Sequence, residues 1–258
     1  MSNKHAAYLV YAMIALAFIL VGSLVVFFAG YQLAVYQETN GDKLLPHINV
    51  TSNPSGTNCG VSYAVGCCAD ECPVAAKPVI YLYPRQTEKV NVKLSFPTGF
   101  SASAPAYNQQ LGWNVIAQPD GTLTNISDGA TYPYLYWEGN PAPFKFDMSQ
   151  GFVVPGDQSA AFLTKELAVI GLNKNETAAF LAYWAPKLQP NKYTLIHFAS
   201  TDYTDVAKLF ITPKPDSLLR VFMAEEPLSS PVKVTPQPFP SFQRKGFTAV
   251  EWGGTVLK

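Results

Sequence analysis

Charge is scarce in this 258-residue chain, where only 14% of the residues are charged and 18 basic residues balance 18 acidic ones. A balanced chain lacks the positive field that holds nucleic acid, so we expect no nucleic-acid partner. Catalytic signatures are missing too: there is no H-E-x-x-H, Walker loop, G-x-G-x-x-G or G-x-S-x-G. We therefore expect no metal and no cofactor.

Histidine is limited to three residues, His5, His47 and His197. His197 lies in the apolar run 193–198. A single histidine in such a run is more often a hydrogen-bonded core residue than a base or a metal ligand.

Aromatic residues and prolines are plentiful, at 13% and 21 residues respectively. This composition is typical of a β-rich fold with many turns and argues against disorder.

One stretch, residues 6–30, contains no charge, Asn, Gln or Pro. As a helix it would rise about 37 Å, more than the roughly 30 Å of a bilayer's hydrocarbon core. We predict a single-pass transmembrane anchor over residues 6–36, behind a cytoplasmic tail of residues 1–5. A cleaved signal peptide is the alternative, but its apolar run is shorter. Because Lys4 and the α-amino group precede the span, the positive-inside rule places the rest of the chain outside the cytoplasm.

A linker over residues 37–76 follows and holds all four cysteines, Cys59, Cys67, Cys68 and Cys72. Outside the cytoplasm closely spaced thiols are oxidised, so we expect two disulfides. A 67–68 bridge would be strained, which leaves 59–67 with 68–72, or 59–68 with 67–72. A structural zinc site is the alternative, although the paired C-x2-C spacing is missing.

Residues 77–258 read as one globular α+β domain, β-rich, with a sandwich-like antiparallel sheet and an inserted helical hairpin. The clearest hairpin signal is Pro119-Asp120-Gly121 between strand-like runs. Apolar runs or alternation predict strands over residues 78–84, 90–96, 113–117, 122–126, 131–138, 151–154, 193–198, 206–211, 218–223 and 247–252. The five prolines of 227–240 predict an extended surface segment.

Between these strands the apolar period becomes helical. The first predicted helix has Asp157 or Ser159 as its N-cap and ends at Gly171. Asn173 and Glu176 have the spacing of a capping box and open the second helix. Together the two helices form the inserted hairpin.

Four segments of this domain are distinctive, KPVIYLYP (77–84), YLYWEG (134–139), RVFM (220–223) and EWGG (251–254). They resemble a domain of many bacterial and some fungal sequences that has no assigned activity. The resemblance covers residues 77–254 and implies that they fold as one unit. It implies no cofactor and no catalytic residue.

Two glutamates, Glu138 and Glu251, end aromatic strands and precede a glycine. If their strands are neighbours, the carboxyl groups could face each other at the roughly 5–9.5 Å separation of glycoside hydrolases. The alternative is an ion pair of each glutamate with Arg220 or Arg85.

Tyr132, Tyr134 and Tyr136 alternate, so in one strand they would share a face, continued by Glu138, while Trp137 points the other way. We assign these four aromatic residues as candidate ligand contacts, since such a row suits stacking on sugar rings. The alternative is a tyrosine face packed under the helical hairpin.

These features predict a membrane-anchored extracytoplasmic binding or structural module that takes a glycan or a protein. An anchored surface hydrolase that uses Glu138 and Glu251 is the alternative.

Overall fold

A computed structural model describes residues 72–199 and 201–257 of the chain. The predicted tail, the anchor, most of the linker and Cys59, Cys67 and Cys68 lie outside the described residues. The anchor, the sidedness and the disulfide pairing therefore stay predictions. Within residues 72–199 and 201–257, no helix is both long and apolar enough to cross a membrane.

The domain consists of two β-sheets and a pair of helices. Its strands are β1 (Ala76–Tyr83), β2 (Glu88–Ser95), β3 (Phe100–Ala104), β4 (Trp113–Ala117), β5 (Leu123–Asn125), β6 (Thr131–Tyr132), β7 (Leu135–Gly139), β8 (Phe152–Pro155), β9 (Tyr193–Ala199), β10 (Lys208–Thr212), β11 (Ser217–Leu228) and β12 (Thr248–Val256). Its helices are α1 (Ser159–Ile170), α2 (Lys174–Leu188) and the short α3 (Thr201–Thr204), and a 3-10 turn spans Gly156–Gln158.

The larger sheet has seven strands in the order β3-β7-β1-β12-β11-β9-β8, and the smaller has five in the order β10-β2-β4-β5-β6. The larger sheet is mixed, because β11 and β12 pair in parallel. The prediction of an antiparallel sheet is therefore wrong at this pair. A parallel neighbour requires a long return connection, and residues 229–247 supply it.

The domain has three layers, because both faces of the seven-stranded sheet are covered. Along β1, Ile80 and Leu82 point into a core shared with the five-stranded sheet. Val79 and Tyr81 alternate with them and point into a second core under α1 and α2. Burial on both faces explains why this run lacks polar alternation.

The two glycines of the EWGG segment permit close contacts, one with the helical layer and one with the neighbouring strand. A Cβ on Gly254 would lie 2.6 Å from a ring carbon of Trp184, which rests on the sheet from α2. A Cβ on Gly253 would lie 3.0 Å from Pro78 in β1. Any larger residue would push the helix or the neighbouring strand away.

The helical hairpin forms where the period predicted it. Gly171 ends α1 with a left-handed φ of 117°. The capping box of Asn173 and Glu176 at the start of α2 is confirmed. The predicted N-cap of α1 is wrong, since Gln158 holds that position without a side-chain cap. A 3-10 turn precedes it, and Ser159 Oγ donates instead to the Gly156 carbonyl at 2.7 Å.

Local signals located the hairpin of β4 and β5 correctly, with Gly121 in the turn at a φ of 92°. The predicted strand 131–138 is wrong as a single element, because it consists of β6 in the smaller sheet and β7 in the larger one. The break falls at Pro133, which has no N–H for a ladder. Strand β3 carried no recognised signal.

We call residues 229–246, the proline-rich part of the connection between β11 and β12, the strap. It runs along the helical side without a helix or strand of its own. The Gln237 side-chain amide accepts from the Phe198 N–H at 2.9 Å and donates to its carbonyl at 2.7 Å. Arg244 pairs with both carboxylate oxygens of the buried Glu176. The strap is thus fixed to β9 and to the start of α2.

Candidate functional site

The structure does not bring Glu138 and Glu251 together. Trp137 points into the core between the sheets, so its neighbour Glu138 points to the helical side. Glu251 lies on the inter-sheet side, where its Oε1 accepts a hydrogen bond from Trp137 Nε1 at 3.3 Å. Carboxylates on opposite faces of one sheet cannot act on the same bond. These two residues therefore do not form the acid pair of a glycosidase.

Glu251 is instead the partner of Arg220. Arg220 Nε donates to Glu251 Oε2 at 2.6 Å, and the two side chains are only 9% and 1% exposed. The guanidinium carbon also lies 4.9 Å from the ring centroid of Tyr203. The ion-pair interpretation of Glu251 is confirmed with Arg220, whereas Arg85 lies at the surface beside Asp216.

The three tyrosines do not share one face. Tyr132 belongs to β6 and packs against the core between the sheets, with its hydroxyl donating to Asp128 Oδ2 at 2.9 Å. Tyr134 and Tyr136 pack against the core under the helices. Because the chain changes sheets at Pro133, the alternation of a single strand does not extend from Tyr132 to Tyr134.

Trp137 is fully buried in the core between the sheets. Its ring makes edge-on contacts with Phe96 and Phe100, at centroid distances of 5.2 and 5.6 Å. A ring enclosed in this way offers no face to a ligand, so its assignment as a ligand contact has no support in the geometry.

A different arrangement appears on the helical side, where aromatic rings surround an amine. The ammonium of Lys77 lies 4.5 Å from the ring centroid of Tyr136, 5.7 Å from that of Tyr134 and 6.0 Å from that of Tyr183. These distances fall within the range of cation–π attraction. The Lys77 cluster comprises Lys77, Tyr134, Tyr136, Glu138, Tyr183 and Lys187.

Tyr183 and Lys187 come from α2, one turn apart, so their side chains meet on one helix face. The Lys187 ammonium lies 4.1 Å from the Tyr183 ring centroid. Tyr183 also contacts Trp184 edge-on at 5.1 Å. Lys77, Tyr134, Tyr136, Glu138 and Tyr183 are all half-buried, whereas Lys187 is exposed. The cluster is thus reachable from solvent.

The backbone at Lys77 is unusual. Its φ of 55° lies in the left-handed region, which among the described residues no other non-glycine residue adopts. A register shift in the pairing of β1 with β12 falls between Ala76 and Val79. Bulges and left-handed non-glycine residues are concentrated at functional sites, where the surrounding contacts maintain them.

Burial and charge set the protonation of the cluster. Burial lowers the pKa of the Lys77 amine, and the charge of Glu138 opposes that shift. Burial also raises the pKa of the Tyr136 phenol, and the charge of Glu138 and its hydrogen bond to the phenol add to the increase. Tyr136 therefore stays a neutral donor and acceptor at any physiological pH.

Sequence reasoning missed Lys77, Tyr183 and Lys187 as site residues. The spacing of Tyr183 and Lys187 marks a helix-face pair, and Lys77 opens the distinctive KPVIYLYP segment. Neither signal shows that α2 and β1 meet, since that contact depends on the packing of the whole helical layer.

His197 is a buried, hydrogen-bonded strand residue, as its apolar surroundings predicted. Its Nδ1 lies 3.0 Å from the Gln150 carbonyl and its Nε2 lies 3.5 Å from Asp202 Oδ2. Within residues 72–199 and 201–257, no three His, Cys, Asp or Glu side chains converge as a metal-binding group.

Comparisons with known proteins add a partial relationship. No protein-family model matches the chain, and no solved structure matches it. The chain is similar to an uncharacterised protein in the bglA 3′ region of Butyrivibrio fibrisolvens, with 42% identity over 65 residues. The match covers 25% of this chain and 66% of that bacterial protein, just under two thirds of its length.

Proposed function

We propose that this chain is a membrane-anchored extracytoplasmic binding module that takes an acidic glycan at the Lys77 cluster. The observation that carries the proposal is the convergence of three tyrosine rings and one carboxylate on a half-buried amine with a left-handed backbone. The anchor and the sidedness rest on the composition of residues 6–36 and the charges that precede it.

The polar groups of the cluster suit a sugar. Phenols that stay protonated both donate and accept hydrogen bonds, and Glu138 adds an acceptor for a ligand hydroxyl. The edges of the Tyr134 and Tyr136 rings add apolar surface beside these groups. A few placed polar groups on an aromatic wall are the usual composition of a small-ligand site.

The charges of the cluster favour an anionic ligand. Two ammonium groups, Lys77 and Lys187, stand against one carboxylate, Glu138. A uronate carboxylate placed between the lysines would satisfy the excess charge. Because Lys77 is half-buried, that pairing is screened less by salt than a surface pair.

The test is an array of acidic and neutral oligosaccharides probed with the full-length chain in detergent. We expect acidic oligosaccharides to be retained and neutral ones to be lost. Tyr136→Ala should abolish retention, because it removes the ring closest to the Lys77 ammonium.

Tyr132→Ala is the matched control, since it removes a half-buried tyrosine from the other sheet. Equal retention of acidic oligosaccharides by Tyr136→Ala and Tyr132→Ala would contradict the Lys77 cluster as the binding site. Equal retention of neutral and acidic oligosaccharides would contradict the ligand class. If the wild type binds no oligosaccharide but binds a protein, and Tyr136→Ala abolishes that protein binding, the ligand of the cluster is a protein and not a glycan.

A further inference from the structure

A second concave surface lies along the free edge of the seven-stranded sheet. It is a groove of about 730 Å³, bounded by β8, by α1 and by the strap. That volume lies within the range of roughly 300–1,000 Å³ found for ligand-binding sites. Phe152 and Phe162 line it with rings 5.1 Å apart, and Val232 and Val234 line the strap side.

The outer edge of β8 faces this groove, whereas the strap pairs with the chain just before β8, where Gln150 and Thr235 form a parallel bridge. Strand β8 is the last strand of the sheet, and among the described strands it pairs only with β9. The Gly151 N–H donates away from β9, to the Thr235 carbonyl in the strap, at 2.9 Å. Pro155 ends β8, and a proline in an edge strand turns its nitrogen toward the free edge. Because successive strand residues alternate the edge to which their N–H and C=O groups point, Val153 presents its groups on the same outer edge.

The charge of the groove has one sign. Two of its lining residues, Lys165 and Lys233, are basic, and none is acidic. Lys165 comes from α1 and Lys233 from the strap, so cations lie on two walls of an otherwise uncharged groove. Lys165 also lies 3.0 Å from Glu166, but its side chain is 78% exposed and free to turn toward a ligand.

We propose that the groove binds an extended peptide as an added strand beside β8. The central residues of the peptide are apolar and lie in the groove, and the residues at the two ends of the peptide are acidic. Main-chain hydrogen bonds to Val153 give affinity, and the lysines select acidic flanks. Alternate peptide side chains lie against Phe152 and Phe162. This site is separate from the Lys77 cluster and does not depend on the proposed function.

The experiment uses three fluorescein-labelled peptides and the full-length chain in detergent, with fluorescence anisotropy as the readout. The first peptide is Glu-Thr-Val-Thr-Val-Thr-Val-Thr-Asp. The second replaces both end residues with Lys. The third keeps the acidic ends but carries N-methyl groups on its valines, so that it cannot form a full strand ladder. We expect only the first peptide to bind.

Three variants locate the binding. Lys165→Glu/Lys233→Glu should weaken binding of the acidic peptide at least tenfold, and Val153→Pro should do so by removing an edge N–H. Lys93→Glu is the control, because it reverses an exposed charge on the other sheet. Thermal melting of each variant shows whether the fold is intact.

Lys77→Met separates this site from the Lys77 cluster, and we expect it to leave peptide binding unchanged. Binding of the N-methylated peptide as tightly as the first overturns strand addition. No binding of the acidic peptide, or binding that the Lys165→Glu/Lys233→Glu variant leaves unchanged in a folded protein, overturns the groove as its site.

Discussion

Arg220 and Glu251 lie directly opposite each other in the parallel pair β11 and β12, and the Nε–Oε2 distance is 2.6 Å. Trp137 on β7 donates to the other carboxylate oxygen. The acid that sequence reasoning offered as a catalytic group therefore joins three strands of the larger sheet from inside the core. The role of Glu251 is therefore structural.

Removal of one partner of this pair should be strongly destabilising. We expect Arg220→Met to lower the free energy of unfolding by about 3–5 kcal/mol, because it leaves the Glu251 charge buried and unpaired. Urea titration followed by tryptophan fluorescence measures the change. Arg85→Met is the control, since the Arg85 and Asp216 side chains are 76% and 54% exposed, and it should change stability by less than about 1 kcal/mol. Equal effects of the two substitutions would contradict this account of the pair.

Arg244 should hold the strap in place. Its guanidinium binds both oxygens of Glu176 and the Gly171 carbonyl. We expect Arg244→Gln to leave the buried Glu176 carboxylate without its cation, to destabilise the domain by about 2–4 kcal/mol and to speed tryptic cleavage after Lys233 in the strap.

The matched control for the strap is Lys245→Gln, which changes the neighbouring exposed residue. It should leave cleavage after Lys233 unchanged. Cleavage in Arg244→Gln that is no faster than in the Lys245→Gln control would show that other contacts fix the strap.

Glu225 should make stability fall as pH rises. It is 1% exposed, its Oε2 has no hydrogen-bond partner among the described residues, and burial raises its pKa from 4.5 to about 7. Between these values the folded state binds more protons than the unfolded state, so the contribution of Glu225 to stability is complete below about pH 4.5, decreases as the pH rises toward 7 and levels off above that pH. At 1.36 kcal/mol per pKa unit the loss is roughly 3 kcal/mol.

Glu225→Gln removes this titration. We expect its melting temperature to exceed that of the wild type at pH 8 and to match it near pH 4.5. If Glu225→Gln changes the melting temperature by the same amount at both pH values, the change comes from packing and not from the buried charge.

Features set by neighbouring residues could be predicted from the sequence. Asp120 and Gly121 identify a turn because the aspartate accepts from the Thr122 N–H and the glycine supplies a positive φ. Asn173 and Glu176 identify a helix start because both partners of the capping box lie within one turn. Such signals need no knowledge of the rest of the fold.

Features set by distant contacts could not be predicted. The parallel pairing of β11 and β12 depends on where the strap returns, and no residue of either strand encodes it locally. The Lys77 cluster joins β1, β7 and α2, so its members are far apart in the sequence. The prediction that Tyr132, Tyr134 and Tyr136 share one face was wrong for a related reason. The chain passes from one sheet to the other at Pro133, and the pattern of a single strand does not show this change.

The most direct test of the central claim is calorimetric titration of hexagalacturonate and of its methyl ester, in which each carboxylate is replaced by a neutral ester group, into the full-length chain. We expect the acid to bind and the neutral ester not to bind. Added salt should weaken the binding of the acid, and Lys77→Met should weaken it at least tenfold. Equal affinity of acid and ester, or equal affinity of the wild type and Lys77→Met for the acid, would contradict an acidic-glycan site at the Lys77 cluster.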